Sequence, residues 1–275
     1  MNPFEERKKR QTELQSSVAG IKNIIAVCSG KGGVGKSTVA ANLAVSLAKS
    51  GCKVGLADAD VYGPSLPTLF GVDKAEILAH KEGERDLMIP LEKYGIKLMS
   101  IGFLVDVSSP LMWRGPMASN ALTQLIGDTL WGELDYLILD MPPGTGDIQL
   151  TLVQTFHPGG ALFVCTPQQL AVSDVRRAVN MFSNDNLQVN ILGLVENMAY
   201  FTPKELPENK YYIFGKNGGK NLAEELNIDF LGQIPVSCSL SDANEEGVPL
   251  ACKEDSPDAD AFFELAEKII EKTKE

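Results

Sequence analysis

One octapeptide restricts this chain more than anything else in it: Gly30-Lys31-Gly32-Gly33-Val34-Gly35-Lys36-Ser37. Glycines at this spacing let backbone N–H groups turn inward around phosphate oxygens. Lys36 supplies a point charge, and the Ser37 hydroxyl is placed to ligate Mg²⁺. Such a loop works only between a buried strand and the N-terminus of a helix. Residues 24–28 (Ile-Ile-Ala-Val-Cys) read as the strand, and the Ala/Leu-rich run 38–49 reads as the helix. The candidate phosphate contacts are therefore Gly30, Lys31, Gly32, Gly33, Val34, Gly35, Lys36, Ser37 and Thr38.

The same alternation continues along the chain. Strands are predicted at 54–58, 96–102, 136–140, 161–166, 191–196 and 230–234, and helices at 116–131, 170–182 and 221–226. A βαβ rhythm of this kind predicts an α/β fold, one P-loop NTPase domain with a mostly parallel sheet and helices on both faces. The domain is expected over 21–275, preceded by a mobile arm at 1–20. The charged stretch 72–95 reads as an irregular surface excursion. The segment 258–275 places Phe262, Leu265, Ala266 and Ile269 on one helical face, expected to pack on the sheet.

Charge narrows the partners. The net charge is −11 over 275 residues, which argues against nonspecific binding to nucleic acid or to an anionic membrane. The amphipathic C-terminal segment is acid-rich, whereas an interfacial helix carries Lys and Arg on its polar face. No run is apolar for long enough to span a bilayer, and residues 1–20 lack a signal-type core, so a cytoplasmic location is expected. Five cysteines (Cys28, Cys52, Cys165, Cys238, Cys252) are scattered without C-x-x-C spacing, as reduced thiols are. Cys28 and Cys165 lie on apolar runs and read as small buried hydrophobes.

Two strand ends carry acids. Leu137-Ile138-Leu139-Asp140 has the form of a Walker B strand, whose Asp holds Mg²⁺, usually through water. After it, Gly144 in a Pro-Pro-Gly turn is suited to meet a γ-phosphate with its N–H. The other end, Ala57-Asp58-Ala59-Asp60, offers carboxylates to orient the attacking water or support the metal shell. Ligands of open α/β sheets collect at the carboxyl ends of strands, where all three segments fall.

With these residues in place, the chain resembles the Mrp/ApbC family of iron–sulfur cluster carrier ATPases, in the deviant-Walker-A group with MinD and ParA. The resemblance rests on the octapeptide and on Asp58-Ala59-Asp60-Val61-Tyr62-Gly63-Pro64-Ser65, Met112-Trp113-Arg114-Gly115-Pro116-Met117, Asp140-Met141-Pro142-Pro143-Gly144-Thr145-Gly146-Asp147 and Thr166-Pro167-Gln168-Gln169-Leu170-Ala171. Val195-Glu196-Asn197-Met198 and Phe214-Gly215 extend it, so that it covers roughly residues 20–250. It implies an ATP- and Mg²⁺-dependent homodimeric hydrolase, slow in turnover, that serves iron–sulfur client proteins. Lys31 would reach the partner subunit's nucleotide, Lys36 and Ser37 would hold phosphates and Mg²⁺, and Asp140 would support the metal. Asp60 would position water with Asp58 close by; Asn197 and Pro235 would lie near the adenine. The chain departs from the family at 199–212, where a C-x-x-C is expected and no cysteine stands, so no iron–sulfur ligands are identified. Two other readings stay open: a spatial-organisation ATPase of the MinD or ParA kind, and a slow nucleotide-gated scaffold without a cluster of its own.

Overall fold

The computed structural model describes residues 14–83, 85–104, 115–184, 187, 189–253 and 256–274. Met112, Trp113 and Arg114 of the resemblance, and residues 1–13 of the expected arm, lie outside them.

The chain runs β1 (Ile21–Ser29), α1 (Lys36–Lys49), β2 (Val54–Asp58), α2 (Leu66–Leu69), β3 (Ala79–Glu82), β4 (Arg85–Met88), β5 (Leu91–Lys93) and β6 (Ile96–Ser100). It continues with α3 (Gly115–Gly127), β7 (Leu134–Asp140), α4 (Asp147–Phe156), β8 (Gly160–Cys165), α5 (Gln169–Phe182) and β9 (Ile191–Phe201). It ends with α6 (Gly218–Leu226), β10 (Phe230–Val236), α7 (Cys238–Glu245) and α8 (Asp260–Thr273). Eight strands form one sheet in the order β10-β9-β8-β1-β7-β2-β6-β5, parallel throughout except for β5 at the edge. β3 and β4 make a separate hairpin. The stretch expected to be irregular is thus a hairpin followed by an edge strand. Its signal was hidden because every residue of β3 is exposed and no apolar alternation marks it.

Both sheet faces are covered, and the strands show it residue by residue. In β1, Ala26 and Cys28 face one core with Leu137 and Leu139 of β7, closed by Leu122 of α3, Leu152 of α4, Val175 of α5 and Leu222 of α6. Ile25 and Val27 face the other core with Tyr136 and Ile138, closed by Leu43 and Leu47 of α1 and Phe262 and Ile269 of α8. A period of two with apolar residues on both phases is what a parallel sheet buried on both faces requires. α8 buries Phe262, Leu265, Ala266 and Ile269, the face read from its sequence.

Within the expected arm, residues 14–20 are described. Leu14 and Val18 are buried, and a Cβ added at Gly127 would lie 2.0 Å from Leu14 Cδ2, so this segment is seated against α3.

Candidate functional site

Strand order builds the site. β7 lies between β1 and β2, with Asp140 paired in register with Val27 on one side and Asp58 on the other. The loop after β1, the acids after β2 and the end of β7 therefore open side by side at the carboxyl edge of the sheet. The ladders continue past the strands: Ala59 N–H donates to the Asp140 carbonyl, and Met141 N–H to that of Val27, each at 3.0 Å.

The loop over 30–37 depends on its glycines at specific points. Gly33 and Gly35 both adopt φ of 79°, the left-handed region that glycine enters without strain. A Cβ on Gly35 would also strike Asn197 Nδ2 at 2.3 Å. Gly30 packs against backbone: a Cβ there would sit 2.2 Å from the Asp174 carbonyl carbon and 2.3 Å from Val175 N in α5. Gly32 has open space around it.

Lys36 is buried, and its ammonium donates to Asp140 Oδ1 at 2.5 Å and to Ser37 Oγ at 3.3 Å, with Asp60 Oδ2 at 4.0 Å. Burial works against this ammonium, but Asp140, Asp60 and Asp58 outweigh it and hold its pKa above the usual lysine value. Burial, followed by the Asp140 charge, pushes the Asp58 carboxyl well above the usual carboxylate range, against the N–H groups of Leu66 and Asp60. Asp60 is pushed up by burial as well, with Lys36 opposing; its side chain keeps 14% of its surface in solvent. One largely buried ammonium thus faces the carboxylates of Asp140 and Asp60, with the Asp58 carboxyl buried behind them. Asp140 Oδ2 is buried with no hydrogen-bond partner among the described residues. An unpaired carboxylate oxygen on Asp140, whose other oxygen shares the Lys36 ammonium with the Ser37 hydroxyl, fits a hard divalent cation.

Not every expected residue is free for the role its sequence gives it. Asp58 has no exposed surface, and its oxygens accept from Asp60 N, Ser65 N, Leu66 N and Ser100 Oγ. It braces the loop that carries Asp60 and does not face the cleft as a second open carboxylate. Gly144 has the expected permissive backbone, φ 92°, yet its N–H donates to the Ser29 carbonyl at 2.9 Å. It must leave that partner before it can meet a phosphate. Asn197 donates to the Val34 carbonyl at 2.8 Å, so it buttresses the phosphate loop from behind. Pro235 lies in β10, beyond β9 from the loop. Lys31 is half-buried, and its ammonium forms no ion pair among the described residues. Thr38 is half-buried in the first turn of α1.

Sequence reading missed Ser29, whose hydroxyl donates to the Lys31 carbonyl at 3.0 Å, and Gln149, whose side-chain amide holds the Pro142 carbonyl. It also missed Ser100. Lone polar residues at strand ends give no motif, and their partners come from distant segments. Glu196 is likewise buried, accepting from Gly219 N at 2.6 Å and Gln233 Nε2 at 2.7 Å. It ties the start of α6 to β9 and β10.

Cysteine placement bears on the missing C-x-x-C. Cys28 and Cys165 are sealed in β1 and β8, Cys52 and Cys252 are half-buried, and Cys238 alone is exposed. No group of three or more His, Cys, Asp and Glu side chains suited to a metal ion occurs among the described residues. A nucleotide-bound Mg²⁺ needs fewer, because phosphates and water complete its shell. No described helix is long and apolar enough to cross a membrane.

Comparison with known proteins agrees with this fold. Residues 20–270 match the ParA family described as NUBPL iron-transfer P-loop NTPase. An iron–sulfur cluster carrier protein from Synechocystis is 46% identical over 259 residues, covering 94% of this chain and 73% of the relative. An iron–sulfur cluster transfer protein NUBPL from Dictyostelium discoideum is 46% identical over 255 residues, 92% of this chain and 77% of its own. Among solved structures, a nucleotide-binding protein from Archaeoglobus fulgidus in complex with ADP superposes with a TM-score of 0.78 at 39% identity, covering 92% of this chain and 96% of that one. The Pyrococcus furiosus cell division ATPase MinD, at 22% identity, shares the fold with a TM-score of 0.64 over 91% of this chain and 99% of its own.

Proposed function

The chain belongs to the ParA family of NUBPL iron-transfer P-loop NTPases, and on that premise we propose that it binds ATP with Mg²⁺, pairs with a second copy over the nucleotides and hydrolyses ATP in the service of iron–sulfur client proteins. The observation that carries this reading is Lys36, buried at the end of the phosphate loop between Asp140 and Asp60.

In this reading ATP enters with its phosphates along the N–H groups of 30–38, and Lys36 gives up Asp140 for the β- and γ-phosphate oxygens. Ser37, and Asp140 through water, would hold Mg²⁺, which when bound would supply charge neutralisation for the phosphates. Asp60, the acid of the cleft with solvent access, orients the attacking water. Its pKa, raised by burial, suits it to accept a proton as the water attacks. Lys31, without an ion-pair partner in its own described chain, is free to reach the nucleotide of a facing copy. Adenine would lie on the Asn197 and Pro235 side of the loop.

Cluster transfer comes to this chain from its relatives' names, and its own thiols limit the form it takes. A four-thiolate site needs several accessible cysteines, and only Cys238 is exposed. The reading favoured is a nucleotide-driven factor whose clients supply most or all of the cluster ligands. The likeness to MinD is one of fold and carries no argument for DNA or membrane.

Phosphate release from Mg-ATP by the full chain, compared with Asp60→Asn and with excess EDTA, tests the hydrolase. Turnover should need both the metal and Asp60, and a rate unaffected by either loss would overturn it. Light scattering with a non-hydrolysable ATP analogue tests pairing. Anaerobic reconstitution with iron and sulfide tests the cargo reading: cluster binding near one per pair that persists in Cys238→Ser would contradict it.

A further inference from the structure

Asp60 sits in the loop 59–65, and the shape of that loop depends on a carboxylate that never meets the cleft. Asp58 Oδ1 accepts from Asp60 N at 3.1 Å. Its Oδ2 accepts from Ser65 N at 3.1 Å, Leu66 N at 3.2 Å and Ser100 Oγ at 3.0 Å. The loop is also held at its start, by Ala59 N–H on the Asp140 carbonyl and by the buried Ala59 and Val61, but Tyr62 at its tip is 65% exposed. Ser100 is fully buried at the end of β6, the strand that pairs with β2 and places Ser100 in register with Asp58. Its hydroxyl has one proton and gives it to Asp58. The same oxygen accepts from Gly102 N at 3.0 Å, in the turn Ile101–Phe103. That turn lies tight on the loop: a Cβ on Gly102 would come within 3.1 Å of both Pro64 Cβ and Pro67 Cγ.

We propose that Ser100 is a positioning residue for hydrolysis. Its hydroxyl fixes the Asp58 carboxylate, which gathers the N–H groups of residues 60, 65 and 66 and so sets Asp60 opposite Lys36. This rests on the hydrolase reading above. Without the hydroxyl, the fully buried Asp58 Oδ2 loses one of three donors, and Gly102 N–H, partly buried, loses its acceptor. The carboxylate then shifts toward its remaining donors and carries the loop with it. Ser100 touches neither the phosphate loop nor Lys36, so nucleotide affinity is left intact.

Ser100→Ala, Ser100→Thr and the unaltered full chain decide the matter. In Ser100→Ala, ADP affinity by calorimetry should stay within about two-fold, while kcat falls about ten-fold, the scale of one hydrogen bond to a charged group. Ser100→Thr keeps the hydroxyl and should recover most of the rate. Amide hydrogen exchange in peptides spanning 59–66 should quicken in Ser100→Ala and not in Ser100→Thr, with β1 and β7 unchanged. Wild-type turnover in Ser100→Ala, or a loss of ADP affinity equal to the loss of rate, would overturn the assignment. Should the unaltered chain not hydrolyse ATP, the hydrolase reading fails by itself. The exchange measurement then still judges the clamp, and unchanged protection at 59–66 sinks it.

Discussion

Gly30 and Gly32 belong to the same glycine-rich loop, yet the structure sets opposite outcomes for replacing them with alanine. At Gly30 the new Cβ would lie 2.2 Å from the Asp174 carbonyl carbon and 2.3 Å from Val175 N, where ordinary contact starts near 3.4 Å. The neighbours are backbone atoms in the middle of α5, so no side chain can swing aside. Relief needs the loop or the helix to move by more than 1 Å, the difference between those distances. Overpacking of this sort costs about 1–3 kcal/mol, and the rigid obstacle places Gly30→Ala near the top of that range. At about 2–4 °C per kcal/mol for a domain approaching this size, melting should fall by about 6–12 °C. Gly32→Ala meets nothing within 4 Å and has no left-handed backbone to strain, so its nucleotide-free melting temperature should stay within about 2 °C. Differential scanning calorimetry of both variants without nucleotide is the assay. Equal losses in the two would refute the steric argument and place the fragility in loop flexibility. No loss in Gly30→Ala would refute the packing of the loop on α5.

Lys36→Ala should abolish tight ADP and ATP binding in a calorimetric titration, because the phosphates lose their buried positive partner. The same variant leaves Asp140 buried without its ammonium, so its nucleotide-free form should also be less stable, by about 3–5 kcal/mol if the carboxylate stays ionised. Lys31→Ala should keep nucleotide affinity but slow steady-state hydrolysis strongly, by about 10³-fold or more if it acts like an arginine finger from the partner copy; lost affinity would assign it to its own subunit's nucleotide. A thiol reagent at pH 8 should modify Cys238 first and Cys52 and Cys252 more slowly, reaching Cys28 and Cys165 only on unfolding. Burial pushes the Cys252 thiol up to about 11 from an ordinary 9, so the stability it contributes is complete below pH 9 and is lost as the pH rises through about 11. Chemical denaturation of Cys252→Ala against the unaltered chain across that window checks the sign.

Much of this was legible because it follows from period and punctuation. Val54–Asp58 is bounded in the structure where its sequence bounds it, and the buried face of α8 is the one its spacing marks. The octapeptide and the Asp140 strand announced themselves by residue type. What stayed hidden depends on neighbours that sequence does not bring together. β9 runs on to Phe201 beyond the expected Glu196, with Met198 in a left-handed conformation and Phe201 bridged to Tyr211. α7 buries only Ala243 and so shows no apolar stripe. α4 does carry one, Ile148, Leu152, Val153 and Phe156, but the Pro- and Gly-rich turn before it hides its start. The roles of Asp58, Asn197 and Gly144 depend on which backbone groups reach them first. That is decided by strand register, because the partners Leu66, Val34 and Ser29 come from other segments.

The place of β7 in the sheet has a consequence for the order in which the protein comes into being. β1 pairs only with β7 and β8, and β2 only with β6 and β7, so the strand of the phosphate loop and the strand of Asp60 never touch as neighbours. They are consecutive strands in the chain, yet they stand one strand apart until residues 134–140 arrive to fill the gap. A ribosome must therefore deliver roughly half the chain before Lys36 can find Asp140. The nascent N-terminal half carries the entire glycine loop and still presents no nucleotide site. Competence to bind waits until about the midpoint of synthesis, on the arrival of one inserted strand.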